Sequence, residues 1–210
     1  LQPSLFKLGR DKDWHQRTPA RFNSVAAIYQ DALGESEDHK IAEWYNNLSS
    51  SYDELYGQEQ SVKHRAVKDF IRNDRFKILL DVGCGSGALL QYTEQYYENA
   101  VGIDLSIRML HAAKKKMLRK TDLVLASSSS LPIKDETVDC LISISTLKTD
   151  STLPQFLAEM KRVGGRQSVQ AISIFHQPHS KIPRLLASTA GSSKISERET
   201  IYFLRSGKQR

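Results

Sequence analysis

The chain is short of the residues that would force an unusual architecture. Only two of its 210 residues are cysteine, Cys84 and Cys140, and both sit in segments that read as strand or strand end. A disulfide framework or a zinc site needs more cysteines at tighter spacing, so no metal centre is expected and a reduced compartment is the plain reading. No run of about 18 apolar residues occurs, which excludes a spanning helix. The opening LQPSLFKLGRDKDWHQR lacks an initiator Met and is too polar and too charged for a secretory signal. A cytoplasmic protein with a processed or trimmed start is expected, the nucleus being the alternative. Acidic residues are the minority charge: 24 Asp and Glu against 30 Lys and Arg leave a net charge of +6 and a pI near 9.3. A basic balance favours anionic partners, among them RNA, phosphorylated ligands and acidic proteins.

Three regions are expected: an N-terminal arm (1–40), a helical lid segment (41–75) and an α/β domain (76–210). In the arm, VAAIYQDAL (Val25 to Leu33) is a candidate short helix. From about Asp38 the pattern is helical, with Ile41, Trp44, Tyr45 and Leu48 on one face. Ser49-Ser50-Ser51 interrupts it, and Gly57 offers a break before a second helix from Gln58 to Ile71. From Lys77 the rhythm becomes strand and helix in alternation. Strands are expected at 77–82, 100–104, 123–126, 138–145, 169–175 and 200–204. Helices are expected at 88–97, 106–120 and 153–163, with Ile107, Leu110, His111 and Met117 towards one side of the second. Alternation of this kind implies a mostly parallel sheet covered by helices on both faces, with right-handed crossovers.

The strongest chemical signal is Asp81-Val82-Gly83-Cys84-Gly85-Ser86-Gly87, between an apolar strand and a helix. Glycines there let the chain turn tightly beneath a ligand. A dinucleotide loop runs G-x-G-x-x-G; here the third glycine comes one residue early, which disfavours a nicotinamide enzyme. Asp104 stands at the end of the next strand, about 20 residues after the loop, where a carboxylate can accept both hydroxyls of a ribose. The plainer alternative is that Asp104 or Ser106 simply caps the next helix.

These segments resemble motifs of the class I S-adenosylmethionine-dependent methyltransferases. The glycine loop resembles their first motif and Val101-Gly102-Ile103-Asp104-Leu105-Ser106 their second. Ser127-Ser128-Ser129-Ser130-Leu131-Pro132, with Val138-Asp139 further on, resembles the third. The resemblance covers about residues 41–175. It implies a Rossmann-like, mostly parallel seven-stranded sheet with an N-terminal helical extension, and S-adenosylmethionine as cofactor. By resemblance, Asp81 faces the cofactor's α-ammonium, Gly83, Cys84, Gly85 and Gly87 form its cradle, and Asp104 and Leu105 hold the ribose. The residue that is usually acidic and meets the adenine amino group is Ser127 here, with Ser128 an equal candidate. Tyr52-Asp53 matches a Tyr-Asp pair ahead of the first motif in quinone-type and tRNA-type relatives, where the tyrosine approaches the cofactor. Ordinary helix packing is the alternative for Tyr45, Tyr52 and Tyr56.

Methyl transfer is an in-line displacement from a sulfonium carbon and needs positioning and exclusion of water more than acid help. No catalytic triad is therefore required, and the sequence names no base; Ser145 and His176 are the candidates, with His179 near the latter. Ser143 to Lys148 closes a strand whose C-terminal end should face the methyl group, making Ser145 a cofactor-binding candidate too. No Asn-Pro-Pro-Tyr stands there, which argues against adenine-N6 and glutamine-amide methylation. Lys114-Lys115-Lys116 with Arg108, Arg119 and Lys120 forms a basic helix, read either as a solvated face or as a grip on phosphates.

The basic balance, and the likeness of Cys140 to Ser145 to a segment of tRNA wobble-uridine and rRNA guanine methyltransferases, favour tRNA or rRNA as substrate. Such relatives often need a small activator subunit, so one is a candidate partner. The alternatives are a small-molecule methyltransferase of the quinone-biosynthesis type, favoured by an apolar rather than basic pocket, and a non-catalytic subunit that kept the fold.

Overall fold

The computed structural model describes residues 6–8, 36–116, 118–146, 152–175, 186, 191–195 and 199–205. Its strands are β1 (Phe6–Leu8), β2 (Phe76–Val82), β3 (Tyr97–Asp104), β4 (Thr121–Leu125), β5 (Cys140–Ser143), β6 (Val169–Phe175), β7 (Gly191–Lys194) and β8 (Glu199–Arg205). Its helices are α1 (Glu37–Leu48), α2 (Tyr52–Ile71), α3 (Ala88–Tyr92), α4 (Ile107–Lys115) and α5 (Leu153–Gly164).

The strands form one eight-stranded sheet in the order β1-β4-β3-β2-β5-β6-β8-β7. β2 to β6 pair in parallel; β1 on β4, β8 on β6, and β7 on β8 are antiparallel. The α/β Rossmann-like expectation holds, with one strand more than the seven implied. The polar β7, Gly-Ser-Ser-Lys, has no apolar alternation and offered no strand signal, and β1 comes from the arm.

Two cores flank the sheet because side chains of period two point to opposite faces. Leu79, Ile142 and Ala171 enter the core shared with α2, α3 and α4, while their neighbours Leu80, Leu141 and Ile172 enter the core shared with α5. Phe156, Met160 and Val163 recur at helical spacing on α5 and are buried. Each such side chain contributes roughly 1.5–3 kcal/mol by leaving water. Pro154 fits the first turn of α5, and Gly165, at φ 61°, ends it. A Cβ on Gly164 would stand 2.2 Å from Leu141 Cδ1, so the Gly-Gly pair is demanded by packing as well as by the turn.

Some boundaries differ from expectation. α2 runs unbroken through Gly57; the interruption lies at the serines, with Ser51 at the N-cap. Gly57 costs the helix about 1 kcal/mol in propensity, outweighed by burial of Lys63, Val67 and Ile71 along the same helix. The helix expected over 88–97 stops at Tyr92 and becomes a 3-10 turn, because Tyr97 already begins β3. The helix expected over 106–120 ends at Lys115. Met117 and the candidate helix 25–33 lie outside the described residues.

The sheet order fixes where a ligand can sit. From β2 the chain winds outward through β3 and β4, then returns to place β5 on the other side of β2. Ligands of open α/β sheets bind outside the strand C-termini at such a reversal.

Candidate active site

A cleft of about 860 Å³, open mouth included, lies at that point. Residues following β2 (Gly83, Gly85), β3 (Leu105), β4 (Ala126, Ser128, Ser129) and β5 (Ile144, Ser145, Thr146) form its floor in sheet order, with Asp104 at the end of β3. Asp38, Ile41 and Tyr45 of α1 and Tyr52 of α2 line it from the lid. A second hollow shares Tyr52, Gly83, Gly85 and Ile144 and continues to Asp81, Cys84, His64 and Lys116.

The glycine loop is held in place by its neighbours. Gly83, Gly85 and Gly87 have φ of 75°, 51° and 74°, a left-handed region that favours glycine. A Cβ on Gly83 would lie 2.2 Å from Thr146 Oγ1, which donates to the Val82 carbonyl at 3.0 Å and so ties the end of β5 to the end of β2. The amides of Gly83 and Cys84 both donate to the Ile103 carbonyl. The Gly85 amide donates to Asp104 Oδ2 at 2.8 Å, and the Ser106 amide donates to Asp104 Oδ1 at 2.8 Å. Asp104 therefore ties the glycine loop to the start of α4 rather than only capping a helix. Ser106 itself caps α4, accepting from the Met109 amide at 3.1 Å.

Two carboxylates dominate the electrostatics. Asp81 is 2% exposed, and among the described residues its Oδ2 has no hydrogen-bond partner. Burial first, and then the charge of Asp104, push its carboxyl up to about 8. Burial pushes Asp104 up to about 6, with the amides of Ser106, Gly85 and Leu105 opposing. An unpaired buried carboxylate oxygen is costly. Its environment asks for a cation, and the α-ammonium of S-adenosylmethionine is one. Asp104 beside the glycine loop suits a ribose. The residues present therefore fit that cofactor.

Helices α1 and α2 are docked onto the sheet domain by polar contacts. Asn46 Oδ1 of α1 accepts from Ser106 Oγ at 2.7 Å and from the Arg108 amide at 3.1 Å. Asp53 of α2 accepts from Ser86 Oγ and from Lys116. Burial works against the Asp53 charge, but the Lys116 and Ser86 contacts outweigh it and hold its carboxyl below the ordinary value. Lys116, part of the basic run, is thus engaged with the glycine loop. Tyr45, Tyr52 and Tyr56 form a ladder of rings with centroids 6.1 and 5.2 Å apart. Burial raises Tyr45 to about 12 and Tyr52 higher still, so both remain phenols. His64, between lid and loop, is pushed down to about 4 by burial and by Lys63, and is neutral near pH 7.

Under the β5 end lies a buried polar network. Lys63 of α2 donates to Ser145 Oγ at 2.7 Å and pairs with Glu199 of β8 at 2.6 Å. Ser145 Oγ donates to Glu199 at 2.9 Å, Ser173 Oγ donates to the same oxygen at 2.6 Å, and the Ser145 amide donates to Ser173 Oγ at 2.6 Å. These bonds hold Ser145 at φ 59°, a conformation costing about 1–3 kcal/mol that surrounding contacts must overcome.

Of the residues singled out from sequence, Gly83, Gly85, Asp104, Leu105, Ser128, Ser145 and Tyr52 line the cleft together. Asp81 and Cys84 line the adjoining hollow, the Cys84 thiol held well above its usual range by burial. Gly87 packs away from it, a Cβ there standing 3.0 Å from Ala113 Cβ. Ser127 does not line the cleft; its hydroxyl donates to Asp38 Oδ2 at 2.7 Å. His176, His179 and Lys148 lie outside the described residues. Asp38, Lys63 and Glu199 were missed, as no motif spacing connects segments that meet only through the fold.

Residues 80–168 match the model of a methyltransferase domain family. Over those residues the chain is similar to the class I S-adenosylmethionine-dependent methyltransferases. It is 31% identical over 123 residues to a malonyl-[acyl-carrier protein] O-methyltransferase of Hamiltonella defensa, covering 59% of this chain and 47% of the relative. It is 27% identical over 135 residues to a demethylmenaquinone methyltransferase of Tropheryma whipplei, covering 60% and 56%. The chain thus spans about half the length of the curated relatives it matches. In fold it is similar to DhpI in its complex with SAH, with a TM-score of 0.66 and 13% identity over 82% of this chain and 98% of that one. Among the described residues no helix is long and apolar enough to cross a membrane.

Proposed function

We propose that this chain transfers the methyl group of S-adenosylmethionine to a small-molecule acceptor. The observation that carries the cofactor half is the buried, unpartnered Asp81 oxygen beside a glycine loop already bonded to Asp104. When bound, the cofactor supplies an electrophilic methyl carbon on a sulfonium with a neutral leaving group. The chain's own part is positional. Asp81 meets the ammonium, Asp104 the ribose hydroxyls, and the backbone at Gly83 and Gly85 lets the ligand lie close to the loop. Tyr45 and Tyr52 cover the cleft from the lid and exclude water.

The acceptor expected from net charge was RNA. The cleft lining favours the small-molecule alternative: it is apolar, hydroxyl-bearing and acidic, and no Lys or Arg is among its described residues. Phosphate contacts dominate RNA affinity and need such cations. The names of the two curated relatives point the same way. An activator subunit stays a candidate partner, since a structural neighbour, a methyltransferase, is solved in complex with the Haloferax volcanii Trm112 activator (TM-score 0.52, 16% identity).

Calorimetry with S-adenosylmethionine on wild type and Asp104→Ala tests the cofactor half. Micromolar binding is expected, weakened about 100-fold or more by the substitution, since the variant loses both a ribose acceptor and the loop's anchor. Folded wild-type protein that takes up no cofactor would sink the proposal. Labelled methyl transfer offered to a panel of carboxylic acids and quinols and to total tRNA tests the acceptor half; label in tRNA alone would overturn it.

A further inference from the structure

Resting on the cofactor reading above, we infer that Asp38, on the first turn of the lid helix, is the acceptor that reads the adenine amino group of the cofactor. Sheet order supplies the map. Neighbouring strands stand about 4.8 Å apart, and the cleft floor runs from β5 and β2 through β3 to β4. A ligand with its ammonium at Asp81 on β2 and its ribose at Asp104 on β3 has to place its base beyond β4. The lining there is Leu105, Met109 and Ala126, with Ile41 from α1, an apolar slot suited to a flat ring. The same cleft lining includes Ser128, Ser129 and Asp38. Asp38 is the one carboxylate among these described residues.

Its orientation is held from behind. Ser127 Oγ donates to Asp38 Oδ2 at 2.7 Å and lies 2.8 Å from Ser129 Oγ. Ser127 does not itself line the cleft, so its hydroxyl serves as the bracket and the carboxylate as the reader. An exocyclic amino group is a donor, and a carboxylate is an acceptor on both oxygens. A carbonyl in the amino group's place would set lone pairs against the carboxylate. The site is thereby specific for a 6-amino over a 6-oxo purine. An acid at residue 127 is unnecessary because the lid helix delivers one to the same place.

A helix-stabilising role for an acid in the first turn is the competing explanation for Asp38. It would affect melting but not base preference, so the test reads preference. Calorimetry compares S-adenosylhomocysteine with S-inosylhomocysteine on wild type, Asp38→Asn and Ser127→Ala. Wild type is expected to prefer the adenosine form by about 10-fold or more, the size of one hydrogen bond to a charged acceptor. In Asp38→Asn, whose amide can rotate to donate or accept, the preference collapses to within about 3-fold. Ser127→Ala keeps most of the preference. A full preference in Asp38→Asn, or its loss in Ser127→Ala alone, overturns the assignment while leaving the cofactor reading standing. Failure of wild type to bind either compound overturns both.

Discussion

Lys63 on the lid helix α2 and Glu199 on β8 form an ion pair 2.6 Å long, with side chains only 1% and 2% exposed. Around it Ser145 and Ser173 satisfy the remaining carboxylate positions. Glu199 has no other cation among the described residues, so Lys63→Met is expected to cost about 3–5 kcal/mol, whereas Lys63 keeps Glu59 at 2.7 Å and Glu199→Gln should cost less. The double variant should cost less than the sum of the two. Urea denaturation of all four proteins gives the coupling; strictly additive losses would mean the pair is not an energetic unit.

Ser145 offers a separate test, because its backbone and its hydroxyl make opposite demands. Glycine accepts φ 59° without strain, whereas alanine does not. Both substitutions remove the hydroxyl from Lys63 and Glu199. Ser145→Gly should therefore be more stable than Ser145→Ala by about 1 kcal/mol. Equal stabilities would show that the strain is not held in this residue.

Asp81 gives a pH dependence whose sign can be worked out. Its carboxyl rests near 8 in the ligand-free fold against 3.8 ordinarily. The unfolded chain ionises first, so this group's contribution to stability is lost as pH rises from 3.8 through about 8. An ammonium in the site favours the carboxylate, so binding near neutral pH releases a proton. Affinity for S-adenosylmethionine should fall as pH is lowered from about 7.5 to about 6. Calorimetry in buffers of different ionisation enthalpy reads the released proton. Asp81→Asn should bind weakly and lack this Asp81-linked proton release, yet melt no lower than wild type without ligand at pH 8.

Gly83→Ala combines a positive φ with a Cβ 2.2 Å from Thr146 Oγ1. It should lower stability by about 1–3 kcal/mol and weaken cofactor binding by more than the loss of folded protein explains. Thermal melts beside calorimetry separate the two effects. Unchanged binding would mean that the loop can shift freely under the ligand.

The parallel core was legible because it rests on local rules. Leu79-Leu80, Leu141-Ile142 and Ala171-Ile172 each send one side chain to each face, the pattern of strands buried on both sides. The glycine loop and Asp104 were legible for a similar reason: chemistry and spacing lie within one strand–loop–helix–strand unit. Asp38, Lys63 and Glu199 were not, because their roles arise only when α1, α2 and β8 meet at the β4 and β5 ends. Glu199 in particular reads as a surface charge until β8 is folded beside β6. Gly57 misled because a helix breaker was weighed without the burial that carries α2 past it. The net charge and the cleft point in different directions: the charge describes the whole chain, while the cleft lining carries acids and no described Lys or Arg.

The Lys63–Glu199 contact also sets an order of events during synthesis. The strands and loop that would hold the cofactor leave the ribosome well before residue 199. Until Glu199 arrives, Lys63 has no buried counter-ion from β8, and α2 lacks this anchor over the β5 end. A nascent chain stalled before β8 would carry its glycine loop without a fully seated lid. Synthesis of β8 is thus the step that finishes the site.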